Sequence, residues 1–596
     1  MQRSSWSARL GRWWLGAIVG MLLAWVGAGV GAGVGVAESS HAGEAAGKPQ
    51  RPRLVVLVVF DQLRGDFVQK WRPLFCPDGF ARIQREGADF LNCHYPYATT
   101  TTGPGHASIL TGASPAQHAI VNNEWYDRAS GEMVYCAGDA RYTQVPPRLV
   151  KESKTEPPME AAAKKKQAYG GAPTRQTAQT IGDVLREVFG QLAVILGLSI
   201  KDRGAILPVG QRPTGAYWFD SRSGQFVTST YYRDKLPKWL AEFNASRPAD
   251  RWLGKQWERL RPDLDYVKHS GPDDVVGEAK GVEQGRVFPH PFAGKGKPNR
   301  DYYDSVVCSP AGNDLLLAAV AAAIDGEKLG QDDIPDLLNV SFSSNDIVGH
   351  AWGPDSQEVL DITLRSDLIV RDLLRLLDEK VGKGRYVLAI TADHGICPLP
   401  EVASTQGKDA RRYAIAPIIA GAEDFLRQHY RIPPEAKLRW LEEKSLGALP
   451  WLYLSEATLT QQGLSKAEVS AVLADWLRKQ AGIHAVFTRA QLTEPAPAKD
   501  KLARQAQLSF HPHNAGDLLL VGRPYCLFSS SLSGTTHGSP HDYDTHVPLL
   551  VMGPGVRAGR FDEPVTPQAI AAIFAESLGV PRPDRAQYPV PESLRR

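Results

Sequence analysis

Cysteine is scarce. Six residues in 596, Cys76, Cys93, Cys136, Cys308, Cys397 and Cys526, stand far apart with no C-x-x-C pair, which excludes a zinc ribbon. In an oxidising compartment some of them are candidates for pairing, in a connectivity that spacing does not give. Charge of one sign is also missing. Without the three arginines of the first 37 residues, 65 Lys+Arg face 65 Asp+Glu, so there is no basic excess of the kind that marks a nucleic-acid binder, and no nucleic-acid partner is expected. No internal repeat is found.

What is present starts with a leader. Arg3, Arg9 and Arg12 precede an apolar, glycine-punctuated run from Leu15 to Val36, and small residues end it at Gly35-Val36-Ala37. This is the layout of a secretory signal peptide over residues 1–37, cut after Ala37. The run is long enough to span a bilayer as a retained anchor, but its glycines weaken that alternative, and no cysteine near the cut offers a site for lipid. A periplasmic or secreted protein with no stable membrane anchor after cleavage is the expectation, with a linker over residues 38–52.

The mature chain of about 560 residues exceeds a typical single domain, so several domains or one large domain with insertions is expected. The pattern favours the second. Short runs rich in Val, Ile and Leu read as buried strands at Leu54–Phe60, Leu337–Phe342, Tyr386–Thr391, Asp517–Val521 and Val547–Met552. Between them, Ser356 to Val381 reads as a long amphipathic helix closed by Gly382, and Thr566-Pro567 opens another that ends at Gly579. Alternation of this kind predicts an α/β fold, a mostly parallel sheet covered by helices on both faces, over residues 53–596. Three stretches do not fit the alternation and are expected to be insertions: a charged, alanine-rich one at about 151–175, and cap or lid segments rich in Trp, Tyr and Pro at about 211–300 and 403–510.

Loops that follow parallel strands sit at the rim where α/β proteins place ligands. Asp61 follows the first strand, Asp346 and His350 follow the second, and Asp393-His394 follow the third. Any one of them could be a turn or cap residue, but three such ends together supply carboxylate and imidazole ligands. With one more histidine they make three Asp and three His, enough for two zinc ions with open positions for substrate. Spacing leaves the extra histidine open among His537, His541, His546, His511 and His513, while His106 and His118 suit packing or loop hydrogen bonds. "TTTTGPGHASILTG" at 99–112 offers four threonines ahead of a helix start, and which of them could act as a nucleophile is equally open.

Asp61 after a strand, T-x-x-G-H at 102–106, Asn123 in "HAIVNNEWYD", "SIKDRGAILPVG" at 199–210, Asp346-x-x-x-His350, "TADHG" at 391–395 and "GTTHGSPHDYDTHVPLL" occur in order along nearly the whole mature chain. Together they resemble the alkaline phosphatase superfamily, in its monomeric, periplasmic bacterial branch of PafA type, which is related to the nucleotide pyrophosphatase/phosphodiesterases. The resemblance implies Thr102 as nucleophile and Asn123 as a donor to a phosphoryl oxygen. It implies one zinc held by Asp346, His350 and His537 and the other by Asp61, Asp393 and His394. It implies hydrolysis of small-molecule phosphate monoesters through a covalent phosphothreonine, releasing phosphate, by a monomeric enzyme.

Physical reasoning supports these assignments in two places. Thr102 opens a helix whose first turn, with Gly103 and Pro104, has amide donors and a positive dipole end to spare for a phosphoryl oxygen. Lys201 and Arg203, two apart and flanked by apolar runs, read as an extended segment aiming both cations at one site. An arginine fork plus a lysine charge suits the extra charged oxygen of a monoester dianion. Rival readings are a phosphodiesterase or pyrophosphatase, which in the family lacks this cationic pair, and a non-catalytic periplasmic binding protein on a degenerate enzyme fold, which would have lost ligands. A sulfatase is excluded by the absence of C-x-P-x-R or S-x-P-x-R.

Overall fold

The computed structural model of the chain describes residues 51–147, 170–294, 296–529 and 531–595. The expected signal peptide, residues 38–50 of the linker and residues 151–169 of the first insertion lie outside them. A ten-stranded sheet organises the fold. In chain order its strands are β1 (Leu54–Phe60), β2 (Ala88–Phe90), β3 (Gln144–Val145), β4 (Ile195–Ser199), β5 (Gly215–Asp220), β6 (Gln225–Ser229), β7 (Asp336–Phe342), β8 (Tyr386–Thr391), β9 (Leu549–Met552) and β10 (Gly559–Phe561). They lie in the order β10-β2-β9-β8-β1-β7-β4-β5-β6-β3.

The central five, β8-β1-β7-β4-β5, are all parallel. Every residue of β1, β4, β7 and β8 is buried, which is why these runs are apolar throughout instead of alternating: both faces of the sheet are covered. The expected long helix forms over Gln357–Leu377, N-capped by Ser356, whose hydroxyl accepts from the Val359 amide. The last one forms over Ala569–Leu578 and ends on Gly579 in the left-handed conformation, the usual use of glycine one residue past a helix end.

β9 pairs antiparallel with β8, within the expectation of a mostly parallel sheet, since a buried apolar run has no periodicity that reports direction. Two expectations need correction. The run at 517–521 forms a strand over Leu518–Gly522, but outside the main sheet. It is the middle strand of a separate three-stranded sheet, between Trp451–Leu452 and Ile483–Thr488. Part of the 211–300 region is not a cap, because β5 and β6 form an antiparallel hairpin that extends the main sheet; its aromatic strands, "GAYWFD" and "QFVTS", are joined by the turn "SRSG".

Residues 415 to 528 include a small body with its own core. Trp440, Leu441, Leu452, Leu473 and Leu518 pack together with the helices Ile415–His429 and Lys466–Leu477. Among the described residues no single helix is long and apolar enough to cross a membrane.

Candidate active site

Register brings the functional residues to one rim. Ser199, Ser341, Val59 and Thr391 lie side by side across β4, β7, β1 and β8. Two residues beyond that row, the four chains deliver Lys201, Ser343, Asp61 and Asp393. β7 then runs into the helix Ser344–Trp352, which carries Asp346 in its first turn and His350 one turn later on the same face.

Two groups of metal-ligand type result. Asp61, Asp393 and His394 form one, and Asp346, His350 and His537 the other; within each, the ligand atoms lie within 4.8 Å of one another. His394 Nε2 stands 3.5 Å from Asp61 Oδ1 and 3.3 Å from Asp393 Oδ2. His350 Nε2 and His537 Nε2 stand 3.1 and 3.5 Å from Asp346 Oδ1. The rings of His394 and His537 stack with centroids 3.4 Å apart, so the groups are adjacent. The sequence left five histidines open for the sixth position, and His537 is the one at the site. His541 Nε2 is 2.8 Å from the Gly522 carbonyl and His546 Nε2 is 3.0 Å from that of Leu91.

The donor set fits cations on two observations. Asp61 Oδ1 is buried with no hydrogen-bond partner, and it and Asp393 Oδ2 both face His394 Nε2. In addition, all three imidazoles place Nδ1 against a backbone carbonyl: His350 on Thr535 at 2.7 Å, His394 on Gly395 at 2.8 Å and His537 on Thr100 at 2.9 Å. An N–H donated there fixes the tautomer with the Nε2 lone pair aimed at the site. Burial, then the neighbouring Asp346 and Asp393 carboxylates, push the Asp61 carboxyl well above its ordinary range. Burial also acts to raise Asp346, but His350 and Lys201 outweigh it and hold that carboxyl well below the range. Burial, then His394 and His350, push the His537 imidazolium well down, which leaves a neutral ring free to act as a ligand.

The four threonines separate by what their hydroxyls face. Thr100 Oγ1 donates to the Ser539 carbonyl at 2.8 Å and Thr101 Oγ1 to Asn122 Oδ1 at 3.1 Å, while Thr99 is buried away from any partner. Thr102 opens the helix Thr102–Thr111, and its Oγ1 lies 3.3 Å from His394 Nε2 and 3.3 Å from Arg203 Nη2. Asn123 Oδ1 accepts from the Gly103 amide at 2.7 Å, which leaves its NH2 to donate. Gly105 has a packing reason: a Cβ there would overlap the Asp393 carbonyl oxygen.

The cationic pair reaches the site by a different geometry from the one expected. The extended segment ends at Lys201, and Asp202–Ile206 is a short helix. Lys201 Nζ bridges the two groups, donating to Asp61 Oδ2 at 2.7 Å and Asp346 Oδ2 at 2.5 Å. Arg203 arrives from the first helical turn. Asp202 does face elsewhere, accepting from Tyr135 Oη at 2.5 Å, and Arg203 Nη1 donates to that same hydroxyl at 3.4 Å.

Three neighbours were not singled out for the site: Gln62, Tyr135 and His106. His106 places Nε2 2.8 Å from Ser341 Oγ and Nδ1 3.1 Å from Asp393 Oδ2, a structural role beside the ligands in keeping with the expectation. A left-handed residue directly after a ligand is the only signal that could have found Gln62, and it is not visible in sequence. A cavity of about 390 Å³ opens over Thr102, Asn123 and Arg203, and the small body contributes Leu519, Val521 and Phe528 to its wall.

A parallel sheet that carries paired carboxylate and imidazole groups, a helix-opening hydroxyl and a cationic pair on one rim defines an enzyme of the phosphatase class. A family model described as type I phosphodiesterase/nucleotide pyrophosphatase matches residues 55–544. The chain is 31% identical over 545 residues to alkaline phosphatase PafA of Elizabethkingia meningoseptica, covering 90% of this chain and 93% of that one. It is 30% identical over 536 residues to alkaline phosphatase PhoV of Synechococcus elongatus, covering 89% and 91%. The crystal structure of wild-type PafA superposes with a TM-score of 0.81 at 30% identity, over 91% of this chain and 99% of that chain. The chain belongs to the type I phosphodiesterase/nucleotide pyrophosphatase family, beside the PafA and PhoV alkaline phosphatases.

Proposed function

We propose that the protein is a zinc-dependent alkaline phosphatase that hydrolyses small phosphate monoesters through a phosphothreonine at Thr102. The observation that carries this reading is the convergence on one hydroxyl: Thr102 Oγ1 has His394 of one ligand group and the Arg203 guanidinium each at 3.3 Å, at the start of a helix. Asp61, Asp393 and His394 would hold one zinc, and Asp346, His350 and His537 the other. Zinc there supplies charge for a developing alkoxide and lowers the pKa of a hydroxyl or a water.

Thr102 Oγ1 forms the new bond to phosphorus as the ester P–O bond breaks and the alcohol leaves. Arg203 and the Asn123 side-chain NH2 hold the non-bridging oxygens, since the Gly103 and Gly105 amides already donate to Asn123 and Thr101 and Pro104 has none. Water then cleaves the phosphothreonine, releasing phosphate and restoring the hydroxyl. Lys201, between the two groups, adds the charge that suits a dianion. Exported to the periplasm or medium, the enzyme acts as a monomer without a membrane anchor.

The test compares kcat/KM for matched aryl phosphate monoester and diester substrates in the parent enzyme and in Lys201→Ala/Arg203→Ala. Charge-assisted hydrogen bonds are worth roughly 1.5–3 kcal/mol each, so monoester turnover should fall by about 10²–10⁴ and diester turnover by less, both proteins being assayed at saturating zinc because Lys201 also holds Asp61 and Asp346. Equal falls for both substrates would mean that the pair supports the fold or the metal ligands, and would remove the physical support for the assignment to monoesters.

A further inference from the structure

The geometry points to Gln62 as the positioning residue that ties the two ligand groups together and sets the orientation of one carboxylate in each; this rests on the two-cation reading above. Gln62 follows Asp61 directly and has φ +73°, in the left-handed region that a glycine would occupy at less cost. A glutamine kept there needs a use for its side chain, and the structure shows one. Its Nε2 donates to Asp346 Oδ1 at 2.6 Å, while its backbone N–H donates to Asp393 Oδ1 at 3.1 Å. One residue therefore holds a carboxylate of each group.

The two bonds fall on different oxygens relative to the histidines: one on the oxygen turned away from them, the other on the oxygen that faces them. In Asp393 the amide takes Oδ1 and leaves Oδ2 facing His394 Nε2 at 3.3 Å. In Asp346, Lys201 holds Oδ2 while Gln62 holds Oδ1, the oxygen nearest His350 and His537. With both oxygens held, that carboxylate cannot swing about its terminal bond. A carboxylate can only accept, so the amide must present its nitrogen. The opposing oxygen is accommodated because residue 349, in the helix carrying Asp346 and His350, is glycine: a Cβ there would overlap Gln62 Oε1. Hydrogen bonds of this outer kind typically change metal affinity by about 10–100-fold.

Gln62→Asn isolates the side-chain bond. Asparagine tolerates the left-handed region and keeps the backbone N–H to Asp393, but one methylene less withdraws the amide from Asp346. Gln62→Gly relaxes the backbone and removes the amide altogether. Purified protein stripped of metal is titrated with zinc against a chromogenic chelator, and the metal-free forms are melted in parallel. In both variants one zinc equivalent should weaken about 10–100-fold and the other less, while the metal-free melting temperature holds in Gln62→Asn and does not fall in Gln62→Gly. Unchanged affinity for both equivalents would overturn the proposal, as would a weakening that merely tracks a lower metal-free melting temperature. Uptake of fewer than two equivalents by the parent protein would overturn the two-cation reading, and the proposal with it.

Discussion

Thr102 differs from the three threonines before it in where its hydroxyl is placed. Thr100 and Thr101 donate to Ser539 and Asn122, whereas Thr102 Oγ1 meets His394 and Arg203. Thr102→Ala should therefore abolish turnover by several orders of magnitude, on the scale of about 10³ or more seen when a nucleophile is removed. Thr102→Ser, which keeps the attacking oxygen, should retain a substantial part of it. Thr101→Ala, measured in the same monoester assay, should stay within about tenfold of the parent, since the loss is one hydrogen bond of about 1 kcal/mol. At this scale most of the candidate site was legible, because carboxylates and imidazoles after strand-like runs carry their chemistry in their identity. The sixth ligand was not legible from spacing. Five histidines fall within 36 residues of one another, and it is the approach of His537 Nε2 to Asp346, beside His350, that sets it apart from the others.

At the scale of elements, the site depends on parallel strands whose ends coincide. Four neighbouring strands leave the sheet on one row, so a loop of two residues is enough to gather Asp61, Lys201 and Asp393. The helix that begins at Thr102 is held against this rim by contact at Gly105. Helix propensity alone would favour alanine there by about 1 kcal/mol, but a Cβ overlaps the Asp393 carbonyl, which is backbone and cannot step aside. Gly105→Ala should thus destabilise the protein by about 1–3 kcal/mol and lower activity further by displacing Asp393 and His394, readable as a lower melting temperature together with reduced kcat. The parallel strands were readable because complete burial writes them as unbroken apolar runs. The 518–522 strand reads the same way, and nothing local distinguishes a strand of the main sheet from one in the small body. The 215–229 hairpin was lost for the opposite reason, since its aromatic and polar residues resemble a cap segment.

For the whole molecule, burial of charge away from the site sets a pH response. Glu278, 4% exposed, accepts only from the Val275 amide at 3.2 Å, and its carboxyl is pushed up to about 9 by burial and then by Glu358. The folded state therefore holds that proton more tightly than the unfolded chain does. Its contribution to stability is complete below the ordinary carboxylate range and is lost as pH rises toward 9. Melting temperature should decline between about pH 5 and 9, with a slope of up to one proton per molecule from this group, and Glu278→Gln should flatten that decline; parallel slopes in the two proteins would refute it. The cysteines carry the last consequence. All six are free thiols and five of them are buried, so none of the candidates for pairing is joined, and the large shared core of sheet and helices does the work that cross-links do in smaller domains. With no cross-link to protect, the architecture should be indifferent to thiols: the protein produced in a reducing cytoplasm and melted with and without a thiol reductant should give the same melting temperature.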